Sequence, residues 1–328
     1  MTIRIINAAE VRELLPMPQC VEVMAQAMLA VSAGAVTIPQ RITMPLVEQS
    51  GQLFVMPGVA SDIPVYGTKV ISQHPNNPAA GLPAVQGFVA LFDHATGTPT
   101  ALIDGAEITA IRTAAASGLA SRHLARADAR THGILGTGVQ AETHIAAIAA
   151  VREIEEVLIW GRDSAKADTL AAEHAGGSGL NIRACKDQSE VAACDIVSAV
   201  TGSPGPVIRG EWIRPGTHVN LVGAHTPKTR EADSDLMAMA VVFVDLLESA
   251  MNESGDILIP IEEGKYDRGH VRGEIGRVVA GELDGRQSSE DVTVYVSLGI
   301  TAQDLYAAHA VYLAAQNAGI GTTVDLYR

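Results

Sequence analysis

Residues 132–151 read HGILGTGVQAETHIAAIAAV, and this stretch decides the class of fold. A short apolar run ends at Gly136-Thr137-Gly138-Val139-Gln140-Ala141, which fits the spacing G-x-G-x-x-A, and a helical pattern follows at once. Each position in such a turn has a task. Gly136 permits the tight turn, Gly138 lets backbone approach a pyrophosphate, and Ala141 lets the helix pack close to the sheet. The bare N–H groups and the positive helix end at Val139 and Gln140 then hold the phosphates. An ordinary glycine-rich strand-to-helix turn shares these residue types, so the surroundings must decide.

Downstream the rhythm repeats. EVLIW (156–160) reads as a second strand, DSAKADTLAAEHA (163–175) as a second helix and NIRAC (181–185) as a third strand. CDIVSAV (194–200), HVNLVGA (218–224) and VVFVDLL (241–247) are further compact apolar runs. Strands alternating with helices predict a parallel, doubly wound sheet of Rossmann type, and that context favours the dinucleotide reading of the loop.

Upstream the pattern differs. TIRII opens as a strand, and residues 8–33 read as helix with a break at Pro16. Residues 36–100 alternate short apolar runs with Gly and Pro, as strands joined by turns do. Residues 105–124, GAEITAIRTAAASGLASRHL, form a small-residue helix linking two domains, and TAQDLYAAHAVYLAAQNAG (301–319) is an amphipathic helix that returns to the first. The expected fold is therefore α/β: a Rossmann-type doubly wound parallel sheet over residues 119–303, and a discontinuous α+β domain from residues 1–118 and 304–328.

Length and composition set the bounds. A chain of 328 residues suits about two domains. It is 47% hydrophobic and 18% charged, which argues against disorder. A formal net charge of −14 excludes nucleic acid and anionic membrane as natural partners. It also means that a small anionic ligand must be held by a few local cations. No apolar run is long enough to span a bilayer, and MTIRIINAAEVRELL has no signal-peptide core. Cys20, Cys185 and Cys194 are odd in number and read as reduced thiols of a cytoplasmic protein. The ten histidines show no ligand spacing, so no metal is expected.

The end of the second strand bears on the choice of dinucleotide. An NAD site usually has an acid about 20 residues past the glycine loop. Here the chain reads Trp160-Gly161-Arg162-Asp163-Ser164. Arg162 suits a 2′-phosphate and Ser164 can donate to it, so NADPH is preferred. Asp163 reads either as a helix N-cap or as a late ribose ligand, so NADH stays possible.

Beyond the loop, several blocks follow in a specific order: Met56-Pro57, Gly67-Thr68-Lys69, Leu102-Ile103-Asp104-Gly105 and Thr109-Ala110-Ile111-Arg112-Thr113-Ala114-Ala115-Ala116-Ser117. After the glycine loop come Gly210-Glu211-Trp212 to Pro215-Gly216, Asn220-Leu221-Val222-Gly223-Ala224, Arg230-Glu231-Ala232-Asp233, Glu253-Ser254-Gly255-Asp256 and Ser297-Leu298-Gly299. Together they resemble the ornithine cyclodeaminase/μ-crystallin family over nearly the whole chain. The resemblance implies a homodimer built through the discontinuous domain. It also implies hydride exchange between a nicotinamide and an amino or imino carbon beside a carboxylate.

The same resemblance nominates residues. Arg41, Lys69 and Arg112 look like the positions that hold the substrate carboxylate, with guanidinium as a fork and ammonium as a point charge. Lys69 sits in the apolar strand VYGTKVIS, where an unpaired charge is costly, and Arg112 is the one long cation among small residues. Arg41 also suits a strand-end surface position, and Arg112 a cap on a neighbouring helix. Asp233 resembles the catalytic aspartate, with a helix N-cap as its plain alternative and Asp235 as a rival. Lys69 and Arg112 join Asp233 as catalytic candidates. Arg112, Thr113, Gly161, Thr201, Val222 and Ser297 resemble cofactor contacts. Ala84 departs from members that carry Thr in the stretch Gly81–Gly87, which weakens transfer of any one member's substrate.

The expected function is an NAD(P)H-dependent ketimine reductase, converting Δ1-pyrroline-2-carboxylate or Δ1-piperideine-2-carboxylate to L-proline or L-pipecolate. The alternatives are an ornithine cyclodeaminase with catalytic NAD, an acyclic amino-acid dehydrogenase acting on alanine, or a non-catalytic binder of a small ligand.

Overall fold

The computed structural model describes residues 2–47, 50–176 and 179–326, and the chain divides into two compact units. The first unit is Met1–Arg112 with Ile300–Arg328, and the second is Thr113–Gly299. The division falls somewhat earlier than the sequence reading placed it, within the linking helix and again before the C-terminal helix. The whole of that last helix thereby belongs to the first unit.

The first unit is built on a mostly antiparallel sheet. Its strands are β1 (Thr2–Ile6), β2 (Val36–Thr37), β3 (Ile42–Pro45), β4 (Gln52–Ala60), β5 (Val65–Gln73), β6 (Val85–Asp93), β7 (Pro99–Asp104) and β16 (Thr322–Asp325). They lie in the order β16-β1-β7-β6-β5-β4-β2, with β3 also on β4. Helix α1 (Ala8–Leu14) starts with a capping box, in which Asn7 accepts from the Glu10 N–H and Glu10 reaches back to Asn7. Pro16 ends one helix and begins the next, α2 (Met17–Ser32), because proline fits a helix start but lacks the N–H that a helix interior needs. Helix α3 (Gly105–Leu124) leads out of β7, and α11 (Thr301–Ala318) packs on α2 and across β4, β5 and β6.

Alternation along β5 sorts its two faces: Val65, Gly67, Lys69 and Ile71 are buried, and their neighbours only half so. The buried face receives α11. A β-carbon on Gly58 would lie 2.9 Å from Thr301 Cγ2 and 3.2 Å from Leu305 Cδ1, so only glycine lets the helix come this close. The first two turns of α11, Thr301–Ala308, are buried on every side. The expectation of an amphipathic helix therefore fails there, since this half is wedged between sheet and helix and has no solvent face.

The second unit holds an eight-stranded parallel sheet. In chain order its elements are β8 (Thr131–Leu135), α4 (Val139–Ala149), β9 (Glu156–Trp160), α5 (Ser164–Ala175), β10 (Asn181–Ala184), α6 (Gln188–Ala192), β11 (Ile196–Ala199), β12 (His218–Leu221), α7 (Ser234–Met239), β13 (Val241–Val244), α8 (Leu247–Glu253), α9 (Gly255–Glu262), β14 (Val271–Glu274), α10 (Ile275–Val279) and β15 (Thr293–Val296). The strand order is β10-β9-β8-β11-β12-β15-β13-β14, and every pairing is parallel. Winding reverses between β8 and β11, so the loops after those two strands open a crevice at the carboxyl ends. Two apolar cores flank the sheet, one around Ile134, Ile145 and Ile159, the other around Val219, Leu236 and Val294.

A polar seam runs through this unit. Asn220 donates to Ser121 at 3.1 Å, His218 bonds Thr293 at 2.9 Å, and His144 bonds Ser117 at 2.9 Å. Burial pushes His218 down to about 3 and His144 to about 4, so both rings are neutral and act as hydrogen-bonding groups.

Candidate functional site

Two chemically distinct clusters stand out, one in each unit. In the first unit, Lys69 Nζ lies 2.7 Å from Asp304 Oδ2 and donates to Thr109 Oγ1 at 3.3 Å. Arg112 donates from Nε to Asp304 Oδ1 at 2.9 Å and from Nη1 to Gln303 Oε1 at 2.5 Å. All four charged or amide groups are buried. One carboxylate thus faces two cations, and a positive charge is left over. Burial pushes the Lys69 ammonium down to about 8; the Arg112 and Arg41 charges add to this, while Asp304 opposes it. Arg41 sits just before β3 and is half-buried, with its charge in range of Lys69. The structure therefore places Lys69 and Arg112 on one carboxylate, with the Arg41 charge in range of Lys69.

Asp304 and Gln303 were missed in the sequence. The signal was available: Asp304 is a lone acid in TAQDLYAAHAV, the same argument that singled out Lys69 and Arg112. A buried charge needs a partner, and three such residues in three elements amounted to a prediction of contact.

In the second unit the glycine loop joins β8 to α4, the expected strand-to-helix turn, and lies at the winding reversal. Residues 136–138, 160–162 and 200–203 with Val207 line a cleft of about 330 Å³. Gly136 has φ +133°, and a β-carbon there would lie 2.9 Å from the Val200 carbonyl oxygen. At Gly138 a β-carbon would meet nothing within 4 Å, so the loop presents bare backbone to open space, as a pyrophosphate requires. Gln140 Oε1, next to the glycine loop, and Ser297 Oγ are among the buried side-chain atoms that lack a hydrogen-bond partner among the described residues. Such orphans suit a polar ligand. These features fit a dinucleotide.

The remaining candidates divide. Thr201, Gly161 and Arg162 line the cleft, whereas Ser164, Val139 and Val222 do not. Thr113 is buried within α3. Asp163 is the N-cap of α5, accepting from Ala165 N at 3.1 Å, which supports the capping reading over a ribose contact. Asp233 is the N-cap of α7: its Oδ1 accepts from Leu236 N at 2.9 Å and from Gly210 N at 3.0 Å. Its rival Asp235 pairs with Lys265 at 2.8 Å on the surface.

A buried acid that sequence reasoning gave no role underlies the cleft wall. Glu231 Oε1 accepts from the Thr201 N–H and hydroxyl, both at 2.6 Å, and Oε2 from Gly223 N at 2.5 Å and Val222 N at 3.2 Å. It clamps the backbone just past β11 and β12. Behind it, Asp256 Oδ1 accepts from the Glu231 and Ala232 N–H groups, while Oδ2 is buried without a partner. Burial raises Asp256 to about 7, and the Glu231 charge contributes to the rise. Among the described residues no group of three or more His, Cys, Asp or Glu is arranged to hold a metal ion, and no single helix is long and apolar enough to cross a membrane.

A doubly wound parallel sheet with a bare glycine loop at its reversal, joined in one chain to a unit carrying a buried cation cluster, defines a class of two-unit α/β proteins with a Rossmann-type half. The particular family follows: the chain belongs to the ornithine cyclodeaminase/mu-crystallin family, whose model matches residues 2–319. It is 35% identical over 323 residues to a Δ1-pyrroline-2-carboxylate reductase of Bacillus cereus, covering 98% of this chain and 99% of that one. The fold matches Thermococcus litoralis Δ1-pyrroline-2-carboxylate reductase in complex with NADH and L-proline, with a TM-score of 0.95, 36% identity and coverage of 98% and 100%. It also matches an archaeal alanine dehydrogenase dimer with bound NAD, with a TM-score of 0.93, 30% identity and full coverage of both chains.

Proposed function

We propose that this protein is an NAD(P)H-dependent reductase of cyclic imino acids, taking Δ1-pyrroline-2-carboxylate or Δ1-piperideine-2-carboxylate to L-proline or L-pipecolate. The observation that carries the reading is the Lys69–Asp304–Arg112 cluster, buried and left with surplus positive charge, in a chain similar over its full length to reductases of that substrate class. In the reaction the imino carbon gains a hydride and the ring nitrogen a proton. A bound nicotinamide supplies the hydride.

The chain's own residues supply the rest. Lys69, Arg112 and Arg41 hold the substrate carboxylate, with Arg112 Nη2 unbonded among the described residues. Asp233, fixed through Oδ1, keeps Oδ2 for the proton at nitrogen. Gly136, Gly138, Val139 and Gln140 cradle the pyrophosphate, Gly161, Arg162 and Ser164 take the ribose end, and Thr113, Thr201, Val222 and Ser297 complete the cofactor contacts. Arg162 lines the cleft while Asp163 is engaged as a cap, which favours NADPH. The NADH and NAD complexes of similar proteins keep NADH in use.

A homodimer is part of the proposal. The sheet face of the first unit opposite α11 carries an apolar row, Ile42–Val55–Val70–Phe88, aligned by register. Its end members are 52% and 42% exposed, and we assign them to the contact with a second copy; a similar archaeal alanine dehydrogenase is a dimer. The three buried free thiols suit the cytoplasm.

The test is to mix purified protein with Δ1-pyrroline-2-carboxylate and follow NADPH and NADH oxidation in parallel. Oxidation with proline as product is expected. No oxidation of either cofactor removes the substrate assignment and turns attention to ornithine, followed by ammonia release, and to pyruvate with ammonia, the substrates of an alanine dehydrogenase. Light scattering on the same sample reads the dimer.

A further inference from the structure

We propose that Asp304 is the positioning residue of the cation cluster: its carboxylate, one oxygen on each cation, keeps Lys69 and Arg112 side by side, charged and aimed for a substrate carboxylate. The inference rests on the imino-acid reading above. It assigns Asp304 no contact with substrate.

The geometry carries it. Asp304 is fully buried on α11 and spends Oδ2 on Lys69 of β5 and Oδ1 on Arg112 of α3. Three elements distant in sequence thus meet at one carboxylate, and the close seating of α11 over Gly58 brings it within reach. Two further groups fix the cations from other sides. Thr109 accepts from Lys69 while donating to the Gly105 carbonyl at 2.7 Å, and Gln303 takes Arg112 Nη1. A charged or titratable group faces the cluster from each packed element: Asp304 from α11, Arg112 from α3, Arg41 from the segment before β3, and from α2 the Cys20 thiol, which feels the Arg112 charge.

The stoichiometry gives the arrangement its purpose. Without Asp304, Lys69 and Arg112 repel one another, and of the two only the lysine can respond by losing its proton. A second carboxylate would neutralise the pair and leave nothing for a ligand. A single one holds both side chains in place and leaves charge for the substrate to complete. A purely structural tie between α11 and the sheet predicts only lower stability when it is removed. A positioning role predicts that Lys69 titrates at lower pH.

Asp304→Asn in the full-length protein separates the two. In wild type, 13C-lysine NMR follows the Lys69 ε-carbon, identified by its loss in Lys69→Arg, with a midpoint near 8 expected. In Asp304→Asn that midpoint falls by about one unit or more. The basic limb of kcat/KM for the imino acid moves with it, and the imino-acid KM rises at least roughly tenfold while the NAD(P)H KM stays put. An unmoved midpoint and limb overturn the proposal, whatever happens to stability. Should Asp304→Asn fail to fold, Asp304→Glu keeps the charge but displaces it. The midpoint then stays near that of wild type and the imino-acid KM rises, and an unchanged KM overturns the proposal. The NMR titration needs no turnover, so a wild type that does not reduce the imino acid removes the functional reading, whereas an unmoved midpoint removes this inference.

Discussion

Asp304 in the first unit and Glu231 in the second are both carboxylates with no exposed surface, and they are satisfied in opposite ways. Asp304 faces a lysine and an arginine. Glu231 faces three backbone N–H groups and one hydroxyl, and no cation pairs with it among the described residues. A carboxylate met by cations sets their charge and spacing, and the surplus is available to an anionic ligand. A carboxylate met by N–H donors adds no positive charge. It fixes backbone instead, here the segments past β11 and β12, of which the first lines the dinucleotide cleft. Burial dominates in the second case and raises Glu231 above the usual carboxylate range, although all its hydrogen bonds oppose the rise.

The comparison is broken most severely at Lys69. Lys69→Ala leaves Asp304 with Arg112 alone, and neutralises the surplus charge that substrate needs. We expect kcat/KM for the imino acid to fall by about a thousandfold, in line with truncating one partner of a buried charged pair. Steady-state kinetics at pH 7 decide it: a loss below tenfold means that the cluster is not where the carboxylate binds.

Asp256 probes the other side. Its folded value of about 7 stands above its ordinary 3.8, so between those limits the folded state binds a proton that the unfolded state has released. Stability from this group therefore falls as pH rises from about 4 to about 7 and levels off beyond. Asp256→Asn keeps an acceptor for the Glu231 and Ala232 N–H groups and cannot ionise. The variant is expected to be more stable than wild type at pH 8 by on the order of 2–4 kcal/mol, and close to it at pH 4. Urea midpoints at the two pH values test this, and parallel slopes in both proteins refute it. Glu231→Gln is milder in charge but places an amide NH2 against N–H donors. A loss of about 2–3 kcal/mol, with weaker dinucleotide binding by fluorescence titration and an unchanged imino-acid KM, is the expected pattern.

How much of this was legible in the sequence depended on whether the signal was local. The glycine loop, the Pro16 break and the linking helix at residues 105–124 were readable because turn chemistry and periodicity act over a few residues. The strands β14, β15 and β16 were not picked out, although TVYV in β15 does carry a short apolar run. VRGE and TTVD are polar edge strands, with no apolar run to declare them. Lys69 and Arg112 were found because a long cation among small residues is anomalous within its own segment. Asp304 is anomalous in the same way, a lone acid in an apolar segment, but its helix was read as having a solvent face, and the packing of α11 onto the sheet shows that this half has none. Glu231 and Asp256 were visible as motif letters, but their partners are backbone N–H groups, which carry no residue identity to read.

Arg162 offers the mildest test, because it is a cation of a third kind. It lines the dinucleotide cleft yet is exposed, and it makes no ion pair among the described residues. No buried carboxylate fixes it, so solvent and salt screen its charge and its side chain must be ordered by the ligand itself. Its contribution to a 2′-phosphate is therefore smaller than that of Lys69 to a carboxylate. Arg162→Ala is expected to raise the KM for NADPH about tenfold at low salt while leaving that for NADH nearly unchanged. The effect shrinks as ionic strength rises, whereas the Lys69→Ala loss persists, since the buried cluster is shielded from ions. Equal changes for the two cofactors remove Arg162 as the selector of the 2′-phosphate, and an NADPH effect that is indifferent to salt places this arginine with the buried cations instead.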